Sequence, residues 1–102
     1  MARDIGAVVD QAVLASAARA GCTASITASG WRRWASATFV GARHSITVQL
    51  QPGTAADAWL TGVSEAEFVL RGHLVADLGV VAVRRTMGVV AADLEILTVE
   101  SD

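Results

Sequence analysis

The chain has 102 residues, of which 53% are apolar and 18% are charged, and its formal net charge is −2 at pH 7. This length fits one domain over residues 1–102, with a core large enough to be stable without disulfides or a metal. All eight basic residues are arginine, which excludes Schiff-base chemistry on a lysine. The negative charge also disfavours nonspecific binding to nucleic acid, so we expect no nucleic-acid partner.

The sequence predicts a cytoplasmic location. The single Cys22 cannot form an internal disulfide, whereas disulfide-rich secreted proteins need several cysteines. A reducing compartment is the simplest interpretation. No window approaches the ~20 consecutive apolar residues of a transmembrane helix, so we expect no membrane partner. Asp4 and Asp10 interrupt the apolar N-terminal stretch, which we therefore interpret as a helix of the mature protein rather than as a signal peptide.

A helix over residues 5–19 is predicted by apolar positions spaced three and four residues apart. Asp4 can cap its N-terminus, and Gly21 is a plausible end. From Cys22 to Ala28 the apolar period changes to two, which indicates a half-buried strand.

An extended segment follows over residues 34–50. Gly41 marks either a bulge in one long strand or a turn between two short ones, and we favour the bulge. Pro52 and Gly53 end this segment, and a short helix over 55–62 is expected next.

The last elements form a predicted hairpin. Alternation indicates a long strand over 67–84, and residues 86–88 fit a tight loop with Gly88 in the left-handed conformation. In this register Leu78 faces Ile96 and Val80 faces Leu94. A further bulge is expected near Ile96 and Leu97, where the alternation shifts.

The resulting order is helix, strand, strand, helix, strand, strand, a weak twofold repeat. We predict an α+β fold in which two helices pack on one face of a four-stranded mixed or antiparallel sheet. This element order resembles a circularly permuted ferredoxin-like arrangement, and such a resemblance implies nothing about function.

Two tryptophans flank two arginines at or beside the predicted tip of the first hairpin, in the segment Trp31, Arg32, Arg33 and Trp34. Indole and guanidinium groups can stack on a base or a lipid headgroup. The same residue types are enriched in protein interfaces. We predict that the segment anchors an interface between copies of the chain.

Strand alternation predicts that Arg71, His73 and Asp77 share the sheet face turned away from the helices, with Arg43 on a neighbouring strand. Phe68, Leu70, Leu74 and Leu78 would then point into the core. Arginine and histidine on one face could bind a small polar or anionic ligand. The favoured alternative is a charged face that is solvated or covered by a second subunit.

The only histidines are His44 and His73, and alternation places them on opposite faces. A metal site would need further ligands, so we expect no metal and no cofactor. Cys22 is expected to be a buried, small apolar residue.

The sequence contains no nucleophile elbow, zincin helix, dinucleotide loop or phosphate loop. Its surplus of apolar residues, including the run 80–83, favours self-association, because large apolar patches are uncommon on monomers. The leading hypothesis is a noncatalytic homo-oligomeric module for assembly or partner binding. The alternative is a binding protein or minor enzyme that uses Arg71, His73 and Asp77.

Overall fold

The computed structural model describes residues 4–101. Its elements, in chain order, are α1 (Ile5–Arg19), β1 (Ala24–Ala35), β2 (Val40–Leu50), α2 (Thr54–Gly62) with a 3-10 turn (Val63–Glu65), β3 (His73–Thr86) and β4 (Val89–Glu100). The strands form one antiparallel sheet in the order β1-β2-β4-β3. The predicted α+β class and element order are confirmed. Within the described residues, no helix is long and apolar enough to cross a membrane.

Helix α1 has the bounds that the spacing predicts. The Asp4 carboxylate accepts a hydrogen bond from the Gly6 amide at 3.1 Å and caps the first turn. On its inner side the helix buries Val9, Val13 and Ala17. These side chains are small, so the helix lies close to the sheet.

The first hairpin turns beyond the Trp31–Trp34 segment, which was predicted to lie at or beside its tip. Strand β1 runs through the Trp31–Trp34 segment to Ala35, and the chain reverses at residues 36–39. The Ser36 hydroxyl accepts hydrogen bonds from the amides of Thr38 and Phe39, which form this turn. Gly41 is paired regularly with Trp34, so neither a bulge nor a turn occurs there. The irregularity of this hairpin lies in β1, between Ile26 and Ala28.

The strand predicted from residue 67 begins only at His73, because the chain turns at Gly72, where φ is +77°. At the other end Thr86 pairs with Val89, and Gly88, with φ +84°, occupies the predicted left-handed position of the turn. The register of Leu78 with Ile96 and of Val80 with Leu94 is confirmed.

Bulges interrupt β3 rather than β4. Pairing shifts between Val75 and Asp77 and again between Val80 and Ala82, so that Ala76 and Val81 are the inserted residues. Each insertion reverses the alternation of side chains along the strand, because alternation has a period of two residues.

One core lies between the two helices and the sheet. Its larger members are Val9, Val13, Ile46, Val48, Leu50, Trp59, Val63, Leu78, Val90, Leu94 and Ile96. Inside it, the indole Nε1 of Trp59 on α2 donates a hydrogen bond to the Ser16 hydroxyl on α1 at 3.0 Å. This buried bond joins the two helices.

Replacing Ser16 with Ala should lower the free energy of unfolding by about 1–3 kcal/mol, because the Trp59 N–H would be left buried without a partner. The matched change Ser64→Ala lies at an exposed position and should cost less than about 0.5 kcal/mol. Urea denaturation measures both. Equal effects of the two changes would contradict this role for Ser16.

Candidate functional site

The helices pack on only one face of the sheet. Side chains at even-numbered positions of β2 and β4, such as Ile46 and Leu94, belong to the core with the helix residues. Odd-numbered positions point the other way, and Arg43 and Glu95 are exposed among them. We call this second surface the open face. Within residues 4–101 no helix covers it.

Cross-strand pairing arranges the open face in rows of four residues, taken across β1, β2, β4 and β3. The first row is Trp34, Gly41, Val99 and Leu74. The second row is Arg32, Arg43, Leu97 and Asp77. The third row is Gly30, Ser45, Glu95 and Gly79. In these three rows positive charge lies on the side of β1 and β2, and negative charge lies on the side of β4 and β3. Farther along the face, Arg84 of β3 forms an ion pair with Asp93 of β4, so these two charges offset each other.

Apolar side chains are exposed on this face. Leu74 is 59% and Val81 is 56% accessible to solvent, and Leu97 and Val99 are partly exposed beside them. The prediction that Leu74 points into the core is wrong. Because Ala76 is inserted between Leu74 and Leu78, the two leucines point to opposite faces.

The indole of Trp34 lies over Gly41. Its Nε1 is 2.9 Å from the position that a Cβ on Gly41 would occupy. That Cβ would also overlap the carbonyl oxygen of Thr98. Within the described residues, Trp34 Nε1 is buried and has no hydrogen-bond partner. Glycine at position 41 thus leaves the space that the indole Nε1 occupies beside β2.

The structure separates the predicted ligand-binding residues. Arg71 lies in the turn before β3 and not on a strand. His73 pairs with Glu100 and lies on the helix side, whereas Asp77 lies on the open face. The predicted common face fails because the bulge at Ala76 reverses the alternation between His73 and Asp77. Of the predicted set, the open face carries Asp77 and Arg43.

The Trp31–Trp34 segment is part of β1 and not a hairpin tip, so its side chains alternate between the two faces. Trp34 and Arg32 lie on the open face, while Trp31 and Arg33 lie on the helix side. The Trp31 indole packs against Gly6 of α1, with Cδ1 2.5 Å from the position of a Cβ there. The two tryptophans therefore have different surroundings.

Trp31 also covers a buried histidine. Its ring centroid is 6.4 Å from that of His44, which is only 2% exposed. The Nε2 atom of His44 is 3.0 Å from the Thr98 hydroxyl, which in turn donates to the Ala42 carbonyl at 3.4 Å. Sequence reasoning missed the His44–Thr98 pair, because cross-strand register alone brings these residues together.

Burial lowers the pKa of His44 below its usual value, and the proximity of His73 lowers it further. The carboxylates of Asp10 and Asp4 oppose this shift of the pKa. His44 and His73 both lie on the helix side, so the prediction of opposite faces is wrong, again because of the bulge at Ala76.

A polar cluster on the open face holds one carboxylate in its charged form. The guanidinium of Arg84 donates to both oxygens of Asp93, at 2.7 and 3.0 Å, and the Thr47 hydroxyl donates at 2.9 Å. These hydrogen bonds, that from Arg84 first, lower the pKa of Asp93 to about 2. Asp93 is therefore ionised at neutral pH and is not a proton donor.

In the part of the chain that the structure describes, no three His, Cys, Asp or Glu side chains are grouped as metal ligands. Comparison of the chain with protein-family models, curated proteins and solved structures gives no significant match.

The change Gly41→Ala should destabilise the protein by about 1–3 kcal/mol, because the added methyl group has no room between Thr98 and Trp34. The control is Gly79→Ala in β3, where a Cβ would meet no atom of the described residues within 4 Å. It should not lower the free energy of unfolding. Thermal or urea unfolding compares the two, and a tolerated Gly41→Ala would contradict the packing of Trp34.

Stability should also depend on pH through His44. Its pKa in the folded chain is below the value of ~6.5 in the unfolded chain. The free energy of unfolding should therefore be highest above about pH 6.5. It should fall as the pH drops below that value, because the unfolded chain then binds more protons than the folded chain.

Urea denaturation at pH 7.5 and 5.5 measures this loss. His44→Gln should abolish the loss over this range, and His73→Gln should retain most of it, because burial is the largest cause of the lowered pKa of His44. An unchanged pH dependence in His44→Gln would assign the effect to another group.

Proposed function

We propose that this protein is a noncatalytic homo-oligomeric module whose open face binds a second copy of the chain. The observation that carries the proposal is the exposure of Leu74 and Val81 on a sheet face that no described helix covers. Burying such a face against another sheet removes apolar surface from water, which is the main driving force of association.

The composition of the open face supports assembly over catalysis. Trp34 and Arg32 belong to residue types enriched at the centres of interfaces. Asp93, the carboxylate with the clearest shift in pKa, is held by Arg84 and Thr47, so the shift has a structural explanation that requires no proton transfer. The alternative function, binding of a small polar ligand, keeps only Arg43 and Asp77 of its residues on this face.

We also propose that the fold is a permuted ferredoxin-like arrangement. The strand order β1-β2-β4-β3 supports this, because it is the order obtained when the first strand of a ferredoxin-like sheet is moved to the C-terminal end of the chain. The relation concerns architecture alone.

The proposed location is the cytoplasm. Cys22 is buried, and burial raises the pKa of its thiol. A protonated, inaccessible thiol reacts little with oxidants, which agrees with a structural role in a reducing compartment.

Light scattering coupled to size exclusion, at micromolar concentration and without detergent, should give a mass of two or more chains. Trp34→Ala should weaken association by about 2 kcal/mol, the typical minimum for an interface anchor. Trp31→Ala is the matched control, because Trp31 lies on the helix side. It should lower the free energy of unfolding by uncovering His44 and leave association unchanged.

A parent protein of monomer mass would refute the proposed assembly. If the parent is an oligomer and Trp31→Ala weakens association as strongly as Trp34→Ala, the interface lies elsewhere than on the open face.

A further inference from the structure

This inference rests on the proposed assembly. We propose that two copies pack open face to open face about a twofold axis that runs parallel to the strands, between β2 and β4. Arg32 and Arg43 of each copy then meet Asp77 and Glu95 of the other. The partner is thus a second copy of this chain, held in one orientation by its own charges.

The order of the strands gives this geometry. Strands are spaced about 4.8 Å apart, so β1 and β3 lie about 7 Å on either side of the line between β2 and β4. A half turn about an axis above that line places β1 of one copy over β3 of the other. It also places β2 over β4. Every row of the open face then lies over the same row of the second copy, read in reverse.

The reversed rows match in chemistry. In the first row Trp34 lies over Leu74, and Gly41 lies over Val99. In the second row Arg32 lies over Asp77, and Arg43 lies over Leu97. In the third row Ser45 lies over Glu95, and Arg43 of the adjacent row is within reach of the same carboxylate. The first row therefore joins apolar groups, Arg32 meets an opposite charge, and no like charges face each other in these rows.

The other simple orientation is less favourable. An axis across the strands would place β1 over β1 and β3 over β3, so that each arginine edge would meet an arginine edge and each carboxylate edge would meet a carboxylate edge. Like charges in an interface cost several kcal/mol. The distribution of charge over the open face thus selects the axis parallel to the strands.

Twist and size are compatible with this packing. Aligned sheets cross at about 30°. A group that lies about 7 Å from the axis is then shifted along the strand by about one residue relative to its partner, and an arginine side chain is long enough to span this shift. Four strands of about ten residues give a face of about 600 Å² in projection. This area is similar to the area that each partner buries in a standard interface, about 800 Å².

Charge reversal tests the orientation. The first variant carries Arg32→Glu and Arg43→Glu, and the second carries Asp77→Arg and Glu95→Arg. Each alone should dimerise at least about 100-fold more weakly than the parent, because like charges then face each other. An equimolar mixture of the two should form a heterodimer, since both sets of pairs become complementary. Sedimentation velocity measures the masses, and circular dichroism verifies that each variant is folded.

The fourfold variant, with all four reversals in one chain, has the same net charge as the parent. It should recover homodimerisation, because every pair is complementary again. The matched control carries Arg19→Glu and Arg33→Glu. It has the charge change of the first variant at positions outside the open face, and it should dimerise like the parent.

The outcomes separate this inference from the proposed function. A monomeric parent refutes both. A parent oligomer with the two charge variants unaffected, or a fourfold variant that stays monomeric while the parent assembles, refutes the orientation and leaves the proposed assembly in place.

Discussion

A four-stranded sheet has two faces, and the helices of the described chain cover one of them. This constraint determines how the remaining residues are used. The central strands β2 and β4 alternate between a side that packs against α1 and α2 and a side that does not. The helix side holds Ile46, Leu94 and their neighbours in one continuous core. The open face is left with a mixture of charged and apolar groups, and the proposed pairing of two copies depends on this mixture.

The bulges in β3 have more influence on this face than any one side chain. Inserting Ala76 turns Leu74 outward and separates His73 from Asp77. Inserting Val81 places a further valine in solvent. Both bulges lie on an edge strand, where irregular pairing also discourages uncontrolled strand addition by other chains. The same irregularities therefore disfavour association at the edge of the sheet and enrich its face in apolar surface.

In the proposed dimer, the weak internal repeat accounts for the complementarity of the open face to itself. The first half of the chain contributes β1 and β2, with Arg32 and Arg43, and the second half contributes β3 and β4, with Asp77 and Glu95. The two halves meet at the junction of β2 and β4. Opposite charges on equivalent hairpins are the simplest arrangement in which a twofold pairing of identical chains brings unlike charges together.

Local patterns in the sequence were sufficient to predict helix α1, the order of elements and the pairing of Leu78 with Ile96, because each depends on periodicity and on nearby capping or turn residues. The location of the open-face residues depended on tertiary structure. The turn at residues 36–39 uses the Ser36 hydroxyl rather than a glycine, and a bulge is one residue of misalignment between two strands, which the sequence of one strand does not contain. Since each such residue reverses every side chain beyond it, the sequence determined the type and order of the elements, and pairing between strands decided where the strands begin and end and which face each residue occupies.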